Sequence, residues 1–201
     1  MKRLIFATHN QGKVKEMKDI LSGLDVEVLS AEEVGIFEDV VEDGKTLEEN
    51  ALKKARFIVE KTGDWAVADD SGLCIKALDD APGVHSARWA GDREIANLVE
   101  HTLLKMKDVS AEKRSAYFES AAVLCAPDGR HWSFRGTING VIPFKARGSD
   151  RPKLPYDVIF IPEGYSKTFA EMSDSEKNSL SHRGAAFLQL KKHIEEILGK
   201  E

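Results

Sequence analysis

Two long strand-like stretches, Ser115 to Ala126 and His131 to Val141, dominate the architecture that this chain can adopt. Pro127-Asp128-Gly129 between them is a hairpin signal, so they should pair antiparallel. The start of the chain follows a different order. Lys2 to Thr8 reads as a buried strand. Gly12 to Ser22 reads as a helix, with Val14, Met17, Ile20 and Leu21 at helical spacing. Asp25 to Leu29 alternates as a second strand. A βαβ opening combined with a later hairpin predicts a mixed sheet flanked by helices, an α/β fold.

The rest of the chain fits that frame. Ser30 to Lys45 is acidic and irregular, a loop. Thr46 and Glu49 form a capping-box pattern, and the helix they open carries Leu47, Ala51, Ala55, Ile58 and Val59 on one side until Gly63 ends it. Trp65 to Ala68 reads as a short strand leading into Asp69-Asp70-Ser71-Gly72, after which Leu73 to Ala77 forms another. Asp79 to Gly83 is a turn, and Asp92 caps a helix to about Lys107. Arg147 to Pro155 is a polar loop and Val158 to Ile161 a short strand. Ser173 and Glu176 make a second capping box before a last helix, His182 to Leu198.

With 201 residues the chain is long enough to bury a core without staples, as one domain or as two lobes sharing a cleft. A net charge of -5 disfavours a nucleic acid polymer as partner but leaves room for a small phosphorylated ligand held by local lysines. Leu4 to Ala7 is too short an apolar run for a signal peptide, and no run suits a membrane span. Cys74 and Cys125 lie far apart in apolar surroundings and read as small buried hydrophobes. A reducing cytoplasm is the expected compartment.

Four segments carry more polar chemistry than folding needs. Thr8-His9-Asn10-Gln11-Gly12-Lys13 ends a strand and opens a helix, which would bring backbone N–H groups and a lysine to one point. That is a phosphate cradle or an ordinary polar turn; the glycine spacing is not that of a Walker A loop. The adjacent carboxylates of Asp69 and Asp70 would need a cation or donor beside them, and magnesium with a metal-bound water is one answer. A solvated turn is the other. Glu42 with Lys53 and Lys54 has the look of a solvated surface. Finally, Lys177 to Gly184, KNSLSHRG, sets Ser181, His182 and Arg183 at a helix start. No G-x-S-x-G elbow accompanies them, which argues against a serine hydrolase.

Taken in order, these segments resemble the inosine triphosphate pyrophosphatase family. The pieces are Thr8 to Lys13, Thr46 to Ala55, Ala68 to Leu73, Pro82 to Arg88, Thr168 to Met172 and Glu176 to Gly184. The resemblance implies an elongated, two-lobed α/β structure with the active-site cleft between lobes, and a homodimer. It implies a Mg2+-dependent enzyme that splits ITP, dITP or XTP into a nucleoside monophosphate and pyrophosphate. By the same resemblance Thr8, Asn10 and Lys13 hold the triphosphate, with Lys54 as a second cation. Glu42 and Asp70 bind the metal, and Asp70 is also the catalytic base; Asp69 stays open as a further metal contact. Ser71 touches the substrate, Tyr156 and Asp157 stand beside base and sugar, and Lys177, His182 and Arg183 read the purine.

One segment departs from the family's R-G-x-x-G-F-G-Y-D-P. Leu154 and Pro155 stand at the positions of the phenylalanine and the following glycine, in a loop about two residues longer. This bears on base preference, so a related pyrophosphatase for pyrimidine or modified nucleotides is an alternative. A nucleotide sensor without turnover is another, against which Asp70, Glu42 and Lys13 count.

Overall fold

The computed structural model describes residues 3–91, 95–149 and 154–199. Among them, six strands join one sheet: β1 (Arg3–Phe6), β2 (Glu27–Ser30), β3 (Trp65–Ile75), β4 (Ser115–Cys125), β5 (His131–Val141) and β6 (Ile161–Pro162). Their order across the sheet is β2-β1-β3-β4-β5-β6. β1 runs parallel to β2 and β3, and the later strands are antiparallel. The helices are α1 (Gln11–Leu21), α2 (Leu47–Thr62), α3 (Ile95–Lys105), α4 (Asp174–Leu180) and α5 (His182–Leu198).

Strand alternation sorts the core into layers. Leu4, Phe6, Val67, Ala122 and Leu124 point to one face and pack with Val14, Met17 and Leu21 of α1 and Phe187, Leu190 and Ile194 of α5. Ile5, Ala66, Ala68, Val123 and Cys125 point to the other and pack with Ala51, Ala55 and Ile58 of α2. Further along the same two strands a third cluster begins, with Leu73 and Ile75 of β3 and Ala116 and Phe118 of β4 against Leu98, Phe160 and Phe169. β3 and β4 therefore run from one pair of cores into a third core. Between them on β3 lie Asp69, Asp70 and Ser71.

Three expectations change. Asp69 to Gly72 do not turn the chain, because β3 is continuous from Trp65 to Ile75 and pairs with β4 at each of these positions. The predicted strand Val158 to Ile161 is mostly a 3-10 turn, Pro155–Ile159, with only Ile161–Pro162 pairing to β5. At the start of α2, Thr46 Oγ1 accepts the Glu49 N–H at 3.1 Å as expected, but the Glu49 carboxylate accepts from the Lys45 N–H at 2.7 Å, one residue before the cap. The Ser173–Glu176 box closes in both directions, at 2.8 and 3.2 Å. The predicted cap Asp92 and residues 150–153 of the polar loop lie outside the described residues.

Candidate active site

Because successive strand residues face opposite ways, Asp69 and Asp70 never share an environment. Asp69 follows Val67 to the α1/α5 face, where Oδ2 meets Lys13 Nζ at 3.1 Å and Arg183 Nε at 3.1 Å. Asp70 follows Ala68 to the α2 face, where Oδ2 accepts from Asn50 Nδ2 at 2.9 Å and Oδ1 lies 4.0 Å from Lys54 Nζ. Burial pushes the Asp69 carboxyl up, but Lys13, Arg183 and Lys54 outweigh it and hold the group well below the usual carboxylate range. Burial also dominates at Asp70 and, with Glu42 adding to it, outweighs Lys54 and Lys13, so this carboxyl is raised. A raised carboxylate is the better proton acceptor of the two.

Lys54 sits at the centre of the α2 side. Its ammonium lies 2.6 Å from Glu42 Oε1 and donates to the Asp69 carbonyl at 2.8 Å. Burial alone would lower its pKa, but Asp70, Glu42 and Asp69 more than offset this and raise it. Asn50, one turn earlier on α2, is fully buried. Its Oδ1 accepts the Gly44 N–H at 2.8 Å while its Nδ2 donates to Asp70, so it ties the acidic loop to the strand. A Cβ on Gly44 would fall 2.5 Å from that Oδ1, which is why this loop residue lacks a side chain.

On the opposite face the turn after β1 opens α1. Asn10 Oδ1 accepts from the N–H groups of Gly12 and Lys13 at 3.0 and 3.3 Å, and Thr8 Oγ1 accepts from the Asn10 N–H at 3.2 Å. One helical turn after Lys13, buried Glu16 bonds to Lys177 Nζ at 2.7 Å and, through its other oxygen, to Arg183 Nη1. Lys177 also meets Asp157 Oδ2 at 2.7 Å. Arg183 Nη2 donates to Ser71 Oγ at 3.0 Å, so all three of its nitrogens are engaged, two by β3 and one by α1. Burial pushes Glu16 up, yet Arg183 and Lys177 prevail and lower it. Removing one member of such a buried pair typically costs about 3–5 kcal/mol.

The corner between α4 and α5 positions these groups. Ser181 caps α5 by accepting the Gly184 N–H at 3.0 Å. A Cβ on Gly184 would fall 1.9 Å from the Asn178 carbonyl, so the helices approach this closely only because the residue is glycine. His182 stacks on Phe118, with ring centroids 4.6 Å apart and planes at 10°. Burial first, then Arg183 and Lys177, hold its pKa well below the ordinary histidine value, so the ring is neutral. Its Nδ1 is buried and has no hydrogen-bond partner among the described residues.

A cleft of about 350 Å³ runs along these groups. Thr8, His9, Asn10, Lys13, Glu42, Lys54, Asp70, Ser71, Leu154, Tyr156, Asp157, His182 and Arg183 all line it. Of the residues expected in the site, Lys177 alone lies off the lining, buried behind Asp157 and Glu16. The Tyr156 hydroxyl donates to the Ser86 carbonyl at 2.8 Å, so this aromatic faces the cleft with its ring while its OH is held from behind. Sequence reading missed Glu16 and Asn50. Glu16 carries a sequence signal, a carboxylate three residues after Lys13 and so on the same face of α1; Asn50 sits one turn before Lys54 on α2.

Glu42 and Asp70 fit a magnesium ion. The Lys54 ammonium lies between their carboxylates, so the two groups already converge on a cationic centre. No set of three His, Cys, Asp or Glu that could hold a metal occurs among the described residues. Two carboxylates suit Mg2+, which commonly takes its other ligands from phosphate and water.

By fold this is an α/β protein whose central strand sets two carboxylates against lysines from two helices, one of the carboxylates lining the cleft and the other buried beside it. The chain belongs to the Ham1 family, whose model matches residues 4–193. It is 47% identical over 191 residues to a dITP/XTP pyrophosphatase of Zymomonas mobilis, covering 94% of this chain and 90% of the relative. It is 43% identical over 195 residues to a dITP/XTP pyrophosphatase of Geobacter sulfurreducens, covering 96% and 97%. Among solved structures it is similar to a HAM1 protein from Coxiella burnetii, with TM-score 0.87 and 35% identity over 98% of this chain and all of the other. The Ham1 protein of Staphylococcus aureus superposes with TM-score 0.84 at 33% identity over both full chains.

Proposed function

We propose that this protein hydrolyses ITP, dITP and XTP to the nucleoside monophosphate and pyrophosphate, removing them from the nucleotide pool. The observation that carries the reading is the opposed placement of Asp69 and Asp70. One carboxylate anchors the Lys13 and Arg183 side of the cleft, and the other is left with a raised affinity for a proton beside Glu42 and Lys54. The dITP/XTP pyrophosphatases that the chain matches over most of its length support the substrate class.

In this mechanism Asp70 takes the proton of the attacking water. Lys13 and Lys54 offset charge on the departing pyrophosphate. Magnesium held by Glu42 and Asp70 would neutralise phosphate oxygens and activate that water. Thr8 and Asn10 shape the turn under the phosphates, and Ser71 contacts the substrate with its hydroxyl oriented by Arg183. Neutral His182 and the Arg183 fork face the purine edge, where a 6-oxo group meets donors and a 6-amino group leaves donor against donor. Lys177 acts on this end through Asp157, and Tyr156 supplies a ring wall. The protein works as a homodimer in a reducing cytoplasm, where Cys74 and Cys125, both free and buried, stay reduced.

The test is a nucleotide panel of ITP, dITP, XTP, ATP, GTP and a pyrimidine triphosphate, with and without Mg2+. Expected are pyrophosphate as first product, selectivity for the 6-oxo bases over ATP, and loss of turnover with a chelator. Orthophosphate as first product would overturn the reading in favour of a phosphatase, and a preference for the pyrimidine would reassign the substrate.

A further inference from the structure

Lys54 is a lysine that the family resemblance assigns to the triphosphate, yet its contacts are with the groups assigned to the metal. Nζ lies 2.6 Å from Glu42 Oε1, 2.8 Å from the Asp69 carbonyl and 4.0 Å from Asp70 Oδ1. The side chain is largely buried, and Asp70 is held from its other oxygen by Asn50. An ammonium so placed neutralises the carboxylates that a divalent ion would need. Two cations cannot occupy one point between two carboxylates, since in a partly buried site their mutual repulsion is barely screened.

We infer that Lys54 is a resident cation that competes with the divalent ion for Glu42 and Asp70, and that it yields them only when a triphosphate offers it other anionic oxygens. This rests on the proposed reading of Glu42 and Asp70 as metal ligands, and deepens it. Metal and nucleotide binding then become coupled through one side chain. The bare ion binds weakly, because it must displace Lys54 with no replacement partner for the ammonium. With the triphosphate present, the same movement takes Lys54 onto phosphate, and the ion gains both carboxylates. The coupling is reciprocal by linkage: whatever the nucleotide adds to metal affinity, the metal adds to nucleotide affinity.

The carboxylates also explain why the charge is needed. Glu42 and Asp70 would otherwise face each other in a partly buried site, and like charges there are costly. A lysine neutralises them without the fixed geometry of a metal ion, and its flexible stem lets it leave.

The test uses Mn2+ as probe, followed by calorimetry and by its spin-resonance signal, on the full chain without turnover. Lys54→Met and Lys54→Gln should bind Mn2+ in the absence of nucleotide at least about tenfold more tightly than wild type, because a competing charge has been removed. Their thermal midpoints should rise more on adding Mn2+ than that of wild type. Lys54→Arg, which keeps the charge, should show no such gain. Mn2+ affinity that is unchanged or weaker in both neutral variants would overturn the inference. Where one neutral variant fails to fold, the other carries the same expectation. A non-hydrolysable ITP analogue separates the two levels of the argument. If it promotes Mn2+ binding to wild type while the neutral variants bind Mn2+ without nucleotide no more tightly than wild type does, Lys54 is not a competitor and the metal reading stands. If Glu42→Gln leaves Mn2+ binding with the analogue untouched, the assignment of the metal carboxylates itself fails.

Discussion

Asp69 and Asp70 are chemically identical and adjacent, and only the pleat of β3 distinguishes them. Asp69→Asn should mainly disturb packing of charge, since it loosens Lys13 and Arg183. Asp70→Asn keeps the Asn50 side of the residue close to its present shape and removes the proton acceptor. Its kcat is expected to fall by about 10²–10⁴ while a non-hydrolysable nucleotide still binds. Steady-state turnover within about tenfold of wild type would take Asp70 out of the proton transfer. At Leu154 the expectation is a gain. This residue lines the cleft where the family resemblance would place a phenylalanine. Base–aromatic stacking is worth about 1–3 kcal/mol per base, so Leu154→Phe should lower KM for ITP and XTP with little change in kcat. An unchanged or higher KM for both would show that the loop presents the base to another wall. Most cleft residues were legible as residue types in a familiar order. Their division into two faces was not, because the sequence around Asp69 reads as a polar break and only pairing with β4 reveals an uninterrupted strand.

At the scale of elements, α2 does more than cover the sheet. Its buried side carries Ala51, Ala55 and Ile58 to the core and, at the edge of the same stripe, Asn50 and Lys54 to the cleft. Period and capping residues made the helix readable. They could not show that a polar residue in its first turns is fully buried, since that depends on the loop through Gly44 folding back over it. Asn50→Ala would leave the Gly44 N–H and one Asp70 oxygen without partners. Each orphaned buried group typically costs about 1–3 kcal/mol, so the variant should be destabilised by about 2–6 kcal/mol. Its kcat should fall more than its KM rises, because Asp70 loses orientation while Lys13 and the purine end are untouched. Urea unfolding and steady-state kinetics on the same preparation check both parts. A variant with lowered stability but unchanged kcat would make Asn50 a purely structural strut. The short strand β6 was misread for a related reason: Val158 and Ile159 are apolar because they fill a core as a 3-10 turn, and apolar content alone does not separate the two.

Across the whole molecule, the sheet joins two sets of cores, and the groups at their boundary must be charged or neutral in a defined pattern for the chain to close. The mixed sheet, its βαβ opening and its hairpin were legible from periodicity and turn residues. The salt-bridge web that links α1, β3, α4 and α5 was not, because partners such as Glu16 and Arg183 lie far apart in sequence. That web has a pH signature. Glu16 and Asp69 are lowered in the fold, so their contribution is present above the ordinary carboxylate values, near about pH 4, and is lost as pH falls below them. Asp70 is raised and works in the opposite sense: its contribution is fully present below the ordinary carboxylate value and is lost as pH rises through the raised one. His182 acts in a separate window. Its folded value is held well below 6.5 by burial and by Arg183 and Lys177, so the unfolded chain takes up a proton that the fold refuses. Stability from this group is complete above about pH 6.5 and declines as pH falls below it, by up to about 1.4 kcal/mol per pH unit. His182→Gln removes the titration while keeping a polar group of similar reach. It should be less stable than wild type at neutral pH, through loss of stacking on Phe118. The gap between the two proteins should then narrow steadily from about pH 6.5 to about pH 5, a window in which ordinary carboxylates have not yet begun to protonate in bulk. Urea midpoints measured at half-unit intervals would read this directly. A constant gap across the window would mean that His182 is protonated as readily in the fold as outside it, and that its ring is not the neutral group the purine end of the cleft requires.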